Sequence, residues 1–424
     1  CEACPTGGVC FGGLRAPTPQ PGFFPAAAGR FQACQPSEAC VGGSSVCAAE
    51  YTGELCAECA PKHFRLDAKC EPCPKLAWLY LVGFLVVFAV VLLMAYWLNK
   101  HHVNLAALSL GVDFMQTVGL FSAFDLEWPV ELEGFFEAVS SSNMNVQLVA
   151  PECSINLPTE AQFFVVLSLP LLVLAVFGVV VLAHCAIRTS KKLSPVDTMC
   201  GVTITALYVL YLQVSRAAMS VFDCTEVDGV SFLDADSSIQ CSSDDDTYMS
   251  MYPWAVVATI VYCIGIPGWF ASLVFRNWKA LKRDQGLRAK GEGDDPATNA
   301  DFATRKRYGH LYADYREEYV YWRLVIMGRK LVLLITSIMY NSNAIFFFLG
   351  GCFGGLLFAH CVLRFDLNRL ESALLMSSVA LLLSGMTFHS AALSRGSAFY
   401  VILLVLVFIM LVASLASFVF IMAL

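Results

Sequence analysis

Long runs of apolar residues alternate with short polar segments along most of the chain after residue 75. Each run is close to the ~20 residues that an α-helix needs to cross the ~30 Å hydrocarbon core of a bilayer. The pattern predicts about nine membrane-spanning helices, at residues 76–98, 104–124, 161–187, 197–220, 253–275, 323–340, 344–363, 370–389 and 397–420.

The composition is that of a membrane protein. Of the 424 residues, 57% are hydrophobic and 14% are charged, whereas a soluble domain usually has about 25% charged residues. The chain starts at a cysteine with no signal peptide before it. We therefore expect the numbering to begin inside a longer protein.

Lys and Arg are unevenly distributed among the segments that join the predicted spans. Eleven of them lie from Arg276 to Arg323, whereas the acidic loops at 125–160 and 221–252 contain none. Basic residues accumulate on the cytoplasmic side of membrane proteins. The distribution therefore predicts an extracellular N-terminus and a cytoplasmic C-terminus.

Most cysteines fall on the predicted outer side, ten of them in residues 1–75 and three in the two acidic loops. This clustering indicates an oxidising exterior and a disulfide framework. Zinc is the alternative for CxxC pairs, but an extracellular setting favours disulfides. Because thirteen is an odd number, one thiol is free or pairs upstream of the chain. The candidates are Cys1, Cys4, Cys10, Cys34, Cys40, Cys47, Cys56, Cys59, Cys70, Cys73, Cys153, Cys224 and Cys241.

These patterns predict an all-α polytopic membrane bundle with a small disulfide-rich extracellular domain. Residues 1–75 form the Cys-rich domain, which has few apolar residues and needs covalent cross-links. Residues 76–424 form the bundle, with a cytoplasmic linker and interfacial segment at 276–322. Because only Pro74-Lys75 joins the two domains, we expect the Cys-rich domain to pack on the outer loops.

Several polar side chains fall inside the predicted spans. Asp113 and Gln116 share one helix face, and an acid at that depth must face protein or water. Counting about 1.5 Å per residue predicts a buried pair between Asp113 and either Arg329 or Lys330. Such a network lines a cation pathway, forms a gate, or holds the bundle together. Its candidate members are Asp113, Gln116, Arg329, Lys330, His360 and Glu371.

The two acidic loops contain fifteen Asp and Glu residues and no Lys or Arg. They would raise the local cation concentration at an outer pore mouth, or simply form a soluble surface. Five aspartates are candidate calcium ligands, although the EF-hand spacing is missing and a solvated acidic surface is the alternative. They are Asp234, Asp236, Asp244, Asp245 and Asp246. No other cofactor is expected.

Two overlapping GxxxG pairs in the seventh predicted span allow another helix to approach closely. Packing within a subunit or between subunits is the expected purpose, which makes a homo-oligomer or a larger membrane assembly a candidate. The residues are Gly350, Gly351, Gly354 and Gly355.

Short motifs together carry a family resemblance. CAAEYTGELCAEC and FRLDAKCEPCP resemble the closing part of laminin-type EGF modules. From roughly Asn104 to Ala391 the chain resembles the TRP-like, polycystin-related membrane proteins of fungi, algae and protists, on the motifs DFMQ, EWP, PEC, FDC, GIP, LYADYREEYVYW and RFDLNRLES. The resemblance implies a cation channel or sensor in a plasma or ciliary membrane, with calcium as a candidate ion. Nine spans instead of six, without a pore-loop motif, depart from the family pattern.

The leading hypothesis is a TRP-like cation channel or channel-like sensor. One alternative is a non-conducting receptor, adhesion or structural membrane protein that anchors the Cys-rich domain, and a second is a lipid transporter. We do not expect an enzyme, because phosphate-binding loops, HExxH motifs and nucleophile elbows are missing from the sequence. The expected partners are membrane lipid, further copies of the chain and an extracellular protein bound through residues 1–75, and nucleic acid is not expected.

Overall fold

The computed structural model describes most of the helical part of the chain and most of the Cys-rich domain. Nearly all of the predicted span at 76–98 and all of that at 344–363 lie outside the described residues, as do Cys1, His360 and the GxxxG glycines. The described residues are 4–11, 16–25, 30–34, 36–43, 47–66, 69–74, 106–121, 153, 158–187, 195–227, 229–292, 297–338, 368–389 and 397–423, with a few single positions between 79 and 136.

The fold is mostly helical. A π-helical segment, Thr259–Gly265, joins the fourth and fifth α-helices, so that the rod from Asp246 to Arg276 is continuous. The α-helices of the described residues are α1 (Ala106–Phe121), α2 (Thr159–Ile187), α3 (Pro195–Ser220), α4 (Asp246–Ala258), α5 (Ile266–Arg276), α6 (Trp278–Ala289), α7 (Phe302–Tyr312), α8 (Trp322–Ile338), α9 (Asn368–His389) and α10 (Ala398–Ala423).

Four helical stretches in the described part of the chain are long and apolar enough to cross a membrane. They are Thr159–Val179, Met199–Ser220, Asp246–Arg276 and Ala398–Ser417, and a shorter apolar stretch covers Ala373–Gly385. The helices α1 and α8 coincide with predicted spans but have only 16 and 17 residues. The apolar helices suggest insertion into a membrane, while the predicted total of nine spans stays a prediction.

A proline follows the π-helical segment in the first turn of α5. Pro267 has no N–H, so the carbonyl of Cys263 four residues earlier loses its helical partner. Tyr211 of α3 donates its hydroxyl to this carbonyl at 3.4 Å. The irregular turn is therefore stabilised by a neighbouring helix.

Short antiparallel strands occupy the Cys-rich domain and the acidic loop 221–252. The turn after Tyr51 contains Gly53 at φ +80°, a conformation that favours glycine. The strands are β1 (Gly8–Val9), β2 (Thr18–Pro19), β3 (Phe23–Pro25), β4 (Phe31–Ala33), β5 (Tyr51–Thr52), β6 (Glu58–Cys59), β7 (His63–Leu66), β8 (Lys69–Pro72), β9 (Cys224–Val227), β10 (Val230–Leu233) and β11 (Asp236–Gln240). The last three form one sheet in the order β11-β10-β9.

Twelve of the thirteen predicted cysteines form disulfides, which suggests that this region is extracellular. The thirteenth, Cys1, lies outside the described residues. The cross-linked cysteines themselves form much of the local core, as expected for a domain with few apolar residues. The bridges are Cys4–Cys10, Cys34–Cys40, Cys47–Cys56, Cys59–Cys70, Cys73–Cys153 and Cys224–Cys241.

The chain divides into two compact units. The first unit contains Cys1–Val90, Asn145–Leu167 and Ala217–Thr259, and the second contains Val91–Met144, Ser168–Arg216 and Ile260–Leu424. The Cys-rich domain and the acidic loop 221–252 therefore belong to the same unit.

Inside the first unit, the Cys-rich domain is attached to both acidic loops. Cys73 is bonded to Cys153 of the first loop. Arg65 forms an ion pair with Asp236 of the second loop at 3.2 Å, and Thr159 donates to the same carboxylate at 2.6 Å. The expected packing of the domain on the outer loops is confirmed by these contacts.

In the second unit, α1 packs against α8, α9 and α10. A separate apolar core joins α3 to α5, α6, α7 and α8, with Ile204, Tyr211, Phe270 and Met327 among its fully buried side chains. The packing brings the polar faces of α1, α3 and α8 together.

The bond between Cys73 and Cys153 gives a direct prediction. Proteolysis of the non-reduced protein is expected to release a linked peptide pair that contains both residues, detected by mass spectrometry. Replacing both by serine is expected to lower the free energy of unfolding by about 2–5 kcal/mol. Cys200→Ser, which removes a free cysteine, is the control. Recovery of Cys73 joined to another cysteine would contradict the assignment.

Candidate functional site: a buried ion-pair network

The network arises from regular spacing on two helices. Ser109, Asp113 and Gln116 lie at positions i, i+4 and i+7 of α1 and therefore share one face. Arg323 and Lys330 are seven residues apart on α8 and share a face in the same way. Because α1 packs against α8, the two faces bring acceptors and donors together.

Lys330 is the central cation of the network. Its Nζ lies 2.7 Å from Asp113 Oδ1 and 2.6 Å from Gln116 Oε1. The exposed fraction is 0% for Lys330 and 4% for both Asp113 and Gln116. Gln116 also donates to the carbonyl of Val209 in α3 at 2.9 Å, which ties a third helix to the pair.

Tyr208 of α3 completes the surroundings of Asp113. Its hydroxyl donates to the two carboxylate oxygens at 2.7 and 2.8 Å. Its ring lies under Lys330 Nζ at 4.8 Å and under the Arg323 guanidinium at 4.7 Å. A single tyrosine therefore satisfies the carboxylate and stabilises both cations through its π face.

Arg323 connects α1 and α3 to the segment before α8. It lies 3.8 Å from Asp113 and forms a second ion pair with Asp314 at 2.8 Å. It also donates to Ser109 at 2.8 Å, and its guanidinium lies 5.7 Å from the ring centre of Tyr315. One buried guanidinium thus contacts residues on α1, on α3 and in the 276–322 segment.

The charges of the described ion pairs in the network balance. Asp113 and Asp314 supply two negative charges, and Arg323 and Lys330 supply two positive ones. A buried pair of this kind is stable only while every partner stays in place, since removal of one costs about 3–5 kcal/mol. The arrangement is therefore suited to an electrostatic joint between helices.

A second polar cluster fixes the 276–322 segment. Asp284 of α6 accepts hydrogen bonds from Asn299 at 2.6 Å, Arg305 at 3.0 Å and Tyr312 at 2.8 Å. Burial and the adjacent Asp284 raise the pKa of Tyr312 above its ordinary value. Gln285 donates to the carbonyls of Tyr312 and Tyr315 at 2.7 Å. The backbone of Tyr315, whose ring lies against Arg323, is thereby held in position.

Helix α7 has a further contact with α3. Arg307 forms an ion pair with Asp197, in the first turn of α3, and this hydrogen bond raises the pKa of Arg307. The Asp113 network, the Asp284 cluster and the Arg307–Asp197 pair thus connect the 276–322 segment to the helices on both sides.

Some of the residues predicted for the network belong to it, and others lie outside the described residues. The expected pair of Asp113 with a basic residue of α8 is made by Lys330, while Arg329 is half-buried beside it. The side chain of Glu371 and all of His360 lie outside the described residues. Tyr208, Asp314 and Arg323 were not predicted. The seven-residue spacing between Arg323 and Lys330 is the sequence signal that identifies Arg323.

Three of the five candidate calcium ligands, Asp234, Asp236 and Asp245, have local partners. Asp236 binds Arg65 and Thr159, and Asp234 accepts from Thr225. Asp245 caps the N-terminus of α4 by accepting from the amides of Thr247 and Tyr248. Within the residues that the structure describes, no group of three or more His, Cys, Asp or Glu is placed to hold a metal ion.

The chain is similar to cysteine repeat modular protein A of Toxoplasma gondii. The two share 19% identity over an alignment of 393 residues, which covers 73% of this chain and 12% of the relative. This chain therefore spans a small part of that protein's length. No family model and no solved structure matches the chain.

Removal of the lysine amine tests the ion pair. Lys330→Met leaves Asp113 buried beside an apolar side chain, so the free energy of unfolding is expected to fall by about 3–5 kcal/mol. Lys290→Met, at an exposed lysine of the same unit, is expected to change it by less than about 0.5 kcal/mol. Denaturant unfolding of the detergent-solubilised chain measures both. Equal effects of the two substitutions would contradict the assignment.

The lowered pKa of His310 implies that the stability of the fold depends on pH. Burial, assisted by Arg323 and opposed by Asp314, lowers the pKa of His310 to about 4, whereas the unfolded chain titrates near 6.5. Between these values the unfolded state binds the proton and the folded state does not. Stability is therefore expected to fall as the pH falls from about 6.5 to about 4, and less steeply in His310→Gln. Thermal unfolding across this range measures the difference, and identical profiles would contradict it.

Proposed function

We propose that the chain is the membrane part of a TRP-like surface protein that works as a channel-like sensor. In this proposal the N-terminus is extracellular, the C-terminus is cytoplasmic, and the protein resides in a plasma membrane. The Asp113 network is its gate, closed in the arrangement described above. The uneven distribution of Lys and Arg supports the orientation.

One observation supports the gate above the others. Arg323 is bonded to Asp314 of the 276–322 segment and lies beside Asp113 of α1. A movement of the segment therefore changes the electrostatic surroundings of a buried carboxylate. If Arg323 and Lys330 withdraw, Asp113 becomes an unpaired acid inside the bundle, which attracts a cation.

The acidic loops support cations as the conducted ions. They contain fifteen carboxylates and no basic residue, and a surface of one charge sign raises the local concentration of the opposite ion. The sensing part of the proposal is supported by the contacts of the Cys-rich domain with both loops. A ligand that moves this domain also moves the loops.

A non-conducting receptor or structural protein is the second candidate. The burial of the Asp113–Lys330 pair and its balanced charge favour it, since a satisfied ion pair also serves as a permanent connection between helices. The relative's name, which refers to cysteine repeats, is compatible with a protein whose binding function lies outside the bundle.

Electrical recording separates the candidates. The chain reconstituted in planar bilayers is expected to conduct cations, and Asp113→Asn is expected to reduce the current several-fold because the intramembrane charge is lost. Asp244→Asn, at an exposed loop carboxylate, is the control and should change the current much less. Absence of current and of lipid scrambling, in preparations that remain folded, would contradict the channel proposal and favour the receptor.

A further inference from the structure

Helix α6 has two faces of different character. Leu281, Asp284 and Gln285 are fully buried on one side of the helix. On the opposite side, Lys279 and Lys290 are exposed and Lys282 is half-buried. Lys279 and Lys282, three residues apart, share this face, and Lys290 directly follows the helix. The helix therefore packs through one side and presents positive charge on the other.

These lysines differ from the other basic residues nearby. Arg283, Arg305 and Arg307 are all ion-paired with aspartates. In the part of the chain that the structure describes, Arg276, Lys279 and Lys290 form no ion pair with a carboxylate. The positive charge of these three side chains is thus not neutralised by a described ion pair, while Glu317 approaches the same helix at Gly286.

An aromatic cluster borders the lysine face. Phe275 stacks on Trp278 with ring centres 5.9 Å apart, and Trp278 stacks on Tyr321 at 6.3 Å. Lys282 Nζ lies 5.3 Å from the Trp278 ring centre, and Phe275 is 61% exposed. Aromatic rings beside basic side chains are typical of the membrane–water interface.

The position of α6 in the chain identifies the surface that it faces. The apolar stretch Asp246–Arg276 is long enough to cross a membrane, and only Asn277 separates it from α6. Basic residues immediately after such a helix lie within reach of lipid headgroups. Complementary charge then requires that those headgroups be anionic.

We propose that Arg276, Lys279 and Lys282, together with the Phe275–Trp278 edge, form a binding surface for anionic phospholipid in the adjacent leaflet. The basic residues bind the headgroup phosphate and carboxylate, and the aromatic edge lies among the first carbons of the chains. The surface is separate from the Asp113 network and adds a lipid dependence that the channel-like function does not require.

The test uses the full chain in an uncharged detergent, with mixed micelles that contain phosphatidylserine or phosphatidylcholine. The thermal midpoint of the native sequence is expected to rise with phosphatidylserine more than with phosphatidylcholine. In Arg276→Gln/Lys279→Gln/Lys282→Gln, at least tenfold more phosphatidylserine should be needed for the same shift. High salt should weaken the effect in the native sequence.

The matched control makes the same charge change in the Cys-rich domain. Arg30→Gln/Lys62→Gln/Lys69→Gln, at exposed positions, should keep the response of the native sequence to phosphatidylserine. The charge-conserving variant Arg276→Lys/Lys279→Arg/Lys282→Arg should also keep that response. Equal loss in test and control variants would overturn the proposal. An equal shift with inorganic phosphate alone, or with a polyglutamate peptide in the absence of lipid, would overturn it as well.

Discussion

The constraint on which the helical part of this protein depends is the burial of Asp113. A carboxylate among apolar helices is stable only when donors and positive charge replace the water that it loses. Lys330, Tyr208 and Arg323 provide that replacement from two other helices. The register of α1 against α3 and α8 is therefore fixed by chemistry as well as by shape.

The same constraint extends beyond the helices. Arg323 has more hydrogen-bonding capacity than Asp113 can satisfy, and Asp314 accepts from it at 2.8 Å. Asp314 precedes α8 in a segment that Asp284 and Gln285 hold in place through their bonds to Tyr312 and Tyr315. A polar core in the 276–322 segment and an ion pair inside the bundle are thus consecutive parts of one connected structure.

The sequence predicts a member of the buried network where a single residue type is unusual in its surroundings. An acid in an apolar run must face protein or water, and counting the depth of residues along the helices predicts a pair between Asp113 and Arg329 or Lys330. Tyr208 and Asp314 could not be predicted as members of the network, because a tyrosine in a helix and an aspartate in a polar segment are both common. Disulfide pairing was equally hidden, since the bond between Cys73 and Cys153 joins cysteines 80 residues apart and spacing does not determine connectivity.

The burial of Asp113 and Lys330 as a pair implies that the two side chains contribute to stability as one unit. A double-mutant cycle with Asp113→Asn, Lys330→Met and the combined variant measures this coupling from unfolding free energies in detergent. We expect a coupling energy of about 2–3 kcal/mol, because the second substitution removes a charge that the first has already left unpaired. Additivity within about 0.5 kcal/mol would contradict it, because residues that do not interact give additive effects.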